Sequence, residues 1–393
     1  MKSKPSAHVQ LMDTTLRDGE QTPDVSFDAD EKLAIARALL CDAKVDRIEV
    51  GSARVSAGER RAAGRIATWA RAEGLHDRVE MLAFCDGGRS VDWIAEVGVE
   101  RLNLLVKGSE RHCRLQLGKR LGEHVESIRA TLEAAARARL GVSGVYLEDW
   151  SRGALESPAY VDELVTALGA LGVRRVYLAD TLGVLQPAST ARCVRRMCRR
   201  FPGLDFEFHA HDDYGLATAN ALAAVRAGAS GLHATVNGLG ERAGNASLSE
   251  LVVALRDHAK RPTRVDERAL PALSALVAQA SGCLVPHNTP VVGRHVFTQT
   301  AGVHADGDAK ANLYGSRLAP ERFGRQRQYA LGKLAGRASL AHHLRALGLT
   351  LDPAAFDALL AAVVARGDDK RPIGGEDLPV LMRELGAEPV ASA

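Results

Sequence analysis

Eight short, β-branched apolar runs alternate with longer stretches of helical periodicity from the N-terminus to about residue 260, and this alternation constrains the fold more than any other feature. The runs fall at residues 9–12, 47–50, 79–84, 101–105, 144–147, 176–178, 206–209 and 231–235. Between them lie patterns such as 29–40, 125–139 and 160–171, with apolar residues recurring at three and four. Consecutive strands separated by a helix are joined by crossovers rather than hairpins, so they pair in parallel. Eight such units predict a closed (β/α)8 barrel, an α/β fold of the TIM-barrel type that takes ~250 residues. Beyond the eighth unit the period changes. A helix is predicted over 267–279, an irregular segment over 286–308, and further helices over 340–347 and 353–365. The expected organisation is therefore a barrel domain over 1–265, then a linker and a mainly helical C-terminal subdomain over 266–393.

Composition narrows the class. Of 393 residues, 46% are hydrophobic and 25% charged, both ordinary for a globular chain, and no apolar run approaches the ~20 residues of a membrane span. The first residues lack the apolar core of a signal peptide, so a cytoplasmic protein is expected. Six scattered cysteines with no Cys-x-x-Cys pair read as reduced thiols, not as disulfides or a thiolate zinc site. Net charge is only +3. Arg192, Arg195, Arg196, Arg199 and Arg200 recur at helical spacing and read as one solvated helix face, so neither nucleic acid nor membrane is an expected partner.

In a βα barrel the loops that follow the strands share one rim, where the chemistry sits. The first strand runs into Asp13-Thr-Thr-Leu-Arg17-Asp18-Gly-Glu-Gln, the fifth ends at Glu148, the sixth at Asp180-Thr181, and the seventh carries His209-Ala-His211. The eighth leads to Asn237-Gly-Leu-Gly-Glu-Arg-Ala-Gly-Asn245, whose glycines let the backbone approach a ligand. Histidines at i and i+2 of a strand project from one face. With Asp18 and Asn245 they offer two nitrogens and two oxygens, a borderline set suited to zinc or manganese and open to magnesium. Such a site acts as a Lewis acid on a chelated 2-keto acid, and Arg17 beside it could stabilise the resulting alkoxide. Glu148 is a candidate general acid or base, and Thr181 a contact for the substrate carboxylate. Each has a plainer alternative: Asp18 as a helix cap or partner of Arg17, Glu148 as partner of a neighbouring arginine, Asn245 as a turn residue, Thr181 as a cap.

These stretches, together with Thr300-Ala-Gly-Val-His-Ala-Asp-Gly, resemble the acyl-CoA-dependent synthases of the DRE-TIM metallolyase superfamily: citramalate, isopropylmalate and homocitrate synthases. Val145-Tyr-Leu-Glu-Asp-Trp-Ser, Leu102-Asn-Leu-Leu-Val-Lys-Gly-Ser and Tyr329-Ala-Leu-Gly-Lys-Leu-Ala-Gly look most like the citramalate synthase branch. The resemblance implies Asp18, His209, His211 and Asn245 as metal ligands, Arg17 and Glu148 as catalytic, and Thr181 as a keto-acid contact. It implies Leu82, Leu105 and Tyr146 as the lining of the keto acid's side-chain pocket. His304, Asp306, Asn312 and Tyr314 match residues that the family brings to the mouth of the active site, His304 to assist proton transfer and Tyr314 to contact substrate. The implied reaction is a Claisen condensation of acetyl-CoA with pyruvate to (R)-citramalate and CoA, a step toward isoleucine. The alternatives are 2-ketoisovalerate in the leucine pathway, homocitrate synthesis, a superfamily lyase, or a non-catalytic metal-binding barrel. A homodimer is expected on the same ground. Many relatives carry a regulatory domain after the subdomain, and the expectation here is that none follows.

Overall fold

A computed structural model describes residues 8–371 and 373–389. Contacts divide the chain into two compact units, Met1–Val285 and Pro286–Ala393.

The first unit is a closed eight-stranded parallel barrel of β1 (Gln10–Asp13), β2 (Arg47–Ser52), β3 (Val79–Phe84), β4 (Arg101–Lys107), β5 (Gly141–Glu148), β6 (Arg175–Asp180), β7 (Asp205–Ala210) and β8 (Gly231–Ala234). Strands pair in sequence order and β8 closes on β1, with Gly231 opposite Gln10. The fold class expected from the eight runs is the one observed. Outward positions are apolar and fully buried beneath the helices: Leu102 and Leu104 on β4, Val145 and Leu147 on β5, Val176 and Leu178 on β6, Phe206 and Phe208 on β7. The helix Pro187–Arg200 shows how the outer layer is made. Cys193, Val194 and Met197 face inward while Arg192, Arg195, Arg196, Arg199 and Arg200 are exposed.

Inward positions are unusual for a barrel of this type, in which branched aliphatics normally dominate. Here a polar network fills the lower interior. Arg47 Nη2 donates to both oxygens of Glu207 at 2.7 and 2.6 Å, and its Nη1 to Glu80 at 3.2 Å and to the Tyr177 hydroxyl at 3.1 Å. Asn103 Nδ2 then donates to Glu80 at 2.9 Å and to Glu49 at 2.8 Å. His233 Nε2 lies 3.1 Å from Glu207. Burial holds His233 neutral, with its pKa lowered to about 3. Burial opposes the charge on Glu207 too, but Arg47 and His233 outweigh it and hold this carboxyl well below its ordinary range. Glycine makes the room: a Cβ on Gly144 would stand 2.2 Å from the Tyr177 ring.

The helix Leu270–Ser281 belongs to the first unit, where Ser274 Oγ donates to Asn237 Oδ1 at 2.5 Å. In the second unit a two-stranded parallel pair, Thr298–Gln299 with Gln328–Tyr329, accompanies helices Gly302–Ala311, Arg337–Ala346, Pro353–Asp368 and Leu378–Glu384. Its core gathers Leu331, Leu340, Leu344, Leu359, Val363, Leu378, Leu381 and Met382. The expectation of an irregular segment over 286–308 is corrected from residue 302 onward, where the helix begins. Glycines 302 and 307 hide that helix in the sequence, since glycine is a poor helix former. Gly302 is there for contact, as its added Cβ would meet the Gly336 Cα at 2.6 Å. Among the described residues no helix is long and apolar enough to cross a membrane.

Candidate active site

Parallel closure brings the C-terminal ends of all eight strands to one rim. There Asp18, His209 and His211 converge, all three buried, with ligand atoms within 4.8 Å of one another. Asp18 follows β1 and is the residue before a short 3-10 turn, Gly19–Gln21, yet its side chain caps nothing. It turns instead to the histidines: Oδ2 lies 3.0 Å from His209 Nε2 and 3.9 Å from His211 Nε2. The two Nε2 atoms stand 3.4 Å apart. Burial first, and His209 second, push the His211 pKa down to about 4, so its imidazole is neutral at physiological pH. Burial opposes the charge on Asp18, but Arg17 and the two imidazoles outweigh it and hold the carboxyl well below its usual range. Two imidazole nitrogens and one carboxylate aimed at a common point are a donor set that fits a divalent cation. Asn245 pairs with His211 in an isolated antiparallel bridge; its Nδ2 donates to the Leu239 carbonyl at 3.0 Å, and its buried Oδ1 has no hydrogen-bond partner.

Arg17 is fixed on three sides. Nε donates to Glu49 at 2.5 Å, Nη2 to the Tyr146 hydroxyl at 3.2 Å, and Nη1 lies 3.1 Å from Asp18. Burial works against its charge, but the Glu49 and Asp18 carboxylates more than offset this and keep it protonated. A cavity of about 210 Å3 opens beside it, lined by Arg17, Asp18, His209 and His211 with Leu82, Leu105, Tyr146, Glu148 and Thr181. Every site residue expected on the barrel except Asn245 thus lines one cavity. The register explains this: Leu105 pairs with Tyr146, Lys107 with Glu148, and Ala179 with His209, so these side chains stand on successive inward-facing rungs near the C-terminal rim.

Glu148 pairs with Lys107 Nζ rather than with an arginine, and its carbonyl accepts from Gly108 N at 2.6 Å. Asp149, the next residue, is left-handed at φ 61° and gives its amide to Thr181 Oγ1 at 2.8 Å. A non-glycine residue held in that conformation marks a constrained turn, here the one that aims Glu148. Thr181 therefore caps no helix. His304 and Tyr314 lie in the second unit, in the helix Gly302–Ala311 and just beyond it, with their rings 4.2 Å apart.

Sequence reading missed Glu49 and Lys107, and the lining residues Gln21, Ser52, Phe84 and Glu241. The signal for Glu49 was present: Arg47-Ile-Glu49-Val places two charges at i and i+2 in an apolar strand, hence on its interior face.

Comparison with known proteins identifies the family. Residues 8–277 match the HMGL-like family model, and 291–371 match the homocitrate synthase post-HMGL domain-like model. The chain belongs to the HMGL-like, DRE-TIM metallolyase family. Among its relatives is a Methanopyrus kandleri protein provisionally named (R)-citramalate synthase, 38% identical over 98% of this chain and 74% of that one. The homocitrate synthase of Frankia alni is 38% identical over 87% of this chain and 94% of its own length. An Ignicoccus hospitalis protein provisionally named 2-isopropylmalate synthase is 36% identical over 92% and 88%. Among solved structures, the HMG-CoA lyase of Bacillus subtilis superposes with a TM-score of 0.62 at 23% identity, covering 72% of this chain and 97% of that one, a likeness of fold.

Proposed function

We propose that this member of the HMGL-like family is a citramalate synthase, which condenses acetyl-CoA with pyruvate to give (R)-citramalate and CoA. Its relatives support the coarser reading, an acetyl-CoA-condensing synthase acting on a 2-keto acid. The observation that supports the finer one is the small cavity, in which the apolar and aromatic side chains Leu82, Phe84, Leu105 and Tyr146 share the lining with Arg17 and Asp18. A methyl group suits such a pocket; each further methylene costs about 1–3 kcal/mol where space is lacking.

Asp18, His209 and His211, joined by the Asn245 carbonyl oxygen, would hold a divalent ion such as manganese, zinc or magnesium. Bound there, the ion supplies Lewis acidity toward a keto-acid carbonyl. The chain's own residues do the rest. Glu148 removes a proton from the acetyl methyl group, and His304 keeps the proton-transfer role that the family resemblance implies. The resulting carbanion forms the new C–C bond at the keto carbon, and Arg17 Nη2 donates to the oxygen as it gains charge. The Thr181 hydroxyl, whose oxygen accepts from Asp149, remains free to donate to the keto-acid carboxylate. Tyr314 contributes to substrate binding. Water then cleaves the thioester, releases CoA and makes the sequence irreversible. The protein acts on small molecules, and a homodimer is the assembly proposed.

The test is CoA release by the purified chain with acetyl-CoA and manganese, offering pyruvate, 2-ketoisovalerate and 2-ketoglutarate separately. Preference for pyruvate is expected. Preference for 2-ketoisovalerate would keep the chemistry and refute the pocket argument, and no release with any of the three would refute the synthase reading.

A further inference from the structure

The opposite end of the barrel carries a second cavity that the proposed chemistry does not use. It is a cleft of about 570 Å3 at the strand starts, lined by six cationic side chains and three acidic ones. Arg47, Arg101 and Arg175 open β2, β4 and β6, and parallel closure gathers strand starts at one mouth. Arg78, Arg264 and Lys44 come from the connecting segments.

Carboxylates neutralise only part of this set: Arg47 is paired with Glu80 and Glu207, and Arg175 Nε lies 3.0 Å from Glu207. Glu80 is engaged by Arg47 and Asn103, and Asp46 accepts from the Leu11 amide at 2.8 Å with His8 3.4 Å away. Asp77 is exposed. Arg101 has one side-chain bond, Nε to the Ser143 hydroxyl at 2.9 Å, and no carboxylate within ion-pair distance among the described residues. Arg78 donates only to the carbonyls of Val45 and Asp46. Arg264 reaches Asp46 at a distant 3.8 Å, and Lys44 reaches Asp266 at 3.9 Å. Arg47 is 93% buried, yet its Nε has no hydrogen-bond partner. An isolated surface arginine needs no explanation, but two guanidinium groups without carboxylates in one concave site, beside a buried one with an unused donor, form a recognition surface. Planar guanidinium forks match the oxygens of a tetrahedral oxyanion, to which they donate paired hydrogen bonds.

We propose that this cleft binds a phosphate group, supplied either as a free inorganic anion or as the phosphoryl end of a nucleotide. Its volume falls in the range of small-ligand sites, which leaves room for more than one phosphoryl unit. The cleft lies at the end of the barrel opposite the proposed chemistry.

Calorimetric titration of the full-length protein with inorganic phosphate, pyrophosphate and AMP in turn tests this. Saturable binding is expected, weakened about tenfold or more in Arg101→Gln, which removes one charge-assisted donor pair. Arg264→Gln is the second variant; its side chain is 69% exposed, so its loss does not threaten the fold, and it should weaken binding as well. Tighter binding of pyrophosphate than of AMP identifies a free anion as the ligand, and the reverse order identifies a nucleotide. Titrations that never saturate, or affinities unchanged in both variants, overturn the proposal.

Discussion

Glu49→Gln is the most informative single change in the barrel, because Glu49 does not line the cavity and acts on the proposed chemistry through Arg17 and Tyr146. The carboxylate is fully buried and accepts from Arg17 Nε at 2.5 Å, Asn103 Nδ2 at 2.8 Å and the Tyr146 hydroxyl at 3.2 Å. Glutamine keeps the shape but removes the charge, and its NH2 must face a donor, Arg17 or Asn103. Breaking a buried charge pair costs about 3–5 kcal/mol; since Asp18 still stands 3.1 Å from Arg17 Nη1, the low end, about 3 kcal/mol, is expected. That corresponds to a fall in Tm of roughly 5–10 °C for a domain of this size. Arg17 would lose the partner on its Nε side and with it the aim of Nη2. Loss of one oriented donor to a developing oxyanion lowers kcat about 10²-fold or more. Differential scanning calorimetry and steady-state CoA release, run on one preparation, read both quantities. A variant that melts within about 1 °C of the parent and keeps kcat within about twofold would refute the reasoning, since it would behave like a surface substitution.

Other consequences are as direct. Glu148→Gln should abolish turnover while calorimetry still shows the keto acid binding, because the residue is assigned to proton removal and not to the keto acid's grip. Leu105→Ala should raise kcat/KM for 2-ketoisovalerate relative to pyruvate by about tenfold or more, measured by competing the two substrates. Asp13→Asn should stabilise the protein more at pH 8 than at pH 4. Asp13 is buried, one oxygen accepts from the Thr15 amide at 2.9 Å and the other has no partner, and burial lifts its pKa from 3.8 to about 7. A carboxyl whose folded pKa is raised stabilises fully below the unfolded pKa and loses that contribution as pH rises through the folded one, here between about pH 4 and 7. His211 and His233, depressed to about 4 and about 3, weaken the fold as pH falls below 6.5, but they do so in both proteins and cancel in the difference. Melting temperatures across this range, identical in their offset at both ends, would contradict the Asp13 argument.

Most of the barrel is legible in the sequence because each strand is a compact apolar run followed by a helix, a local signal. The rim is legible for the same reason, as Asp18, Glu148, Thr181 and His209 all sit at or just past the end of such a run. What stays hidden depends on register. That Arg47 meets Glu207, 160 positions away, follows only from closure of the sheet and the stagger of its strands. The bridge that sets Asn245 beside His211 is likewise a backbone pairing across two loops. The helix at Gly302–Ala311 is hidden for another reason, because the close approach of Gly302 to Gly336 overrides local propensity.

The chain of contacts from Arg47 through Glu80, Asn103 and Glu49 to Arg17 bears on how such a barrel can change over generations. Each interior member serves two neighbours, so a substitution at one strands a donor or a charge on both sides. Compensated double or triple changes meet no such obstacle, and a uniformly apolar interior would be reachable only by replacing the set at once. Libraries meant to reshape the substrate cavity should accordingly vary the rim residues Leu82 and Leu105 freely but change Tyr146, whose hydroxyl bonds both Arg17 and Glu49, only together with those partners. The rungs beneath them are better varied as linked groups.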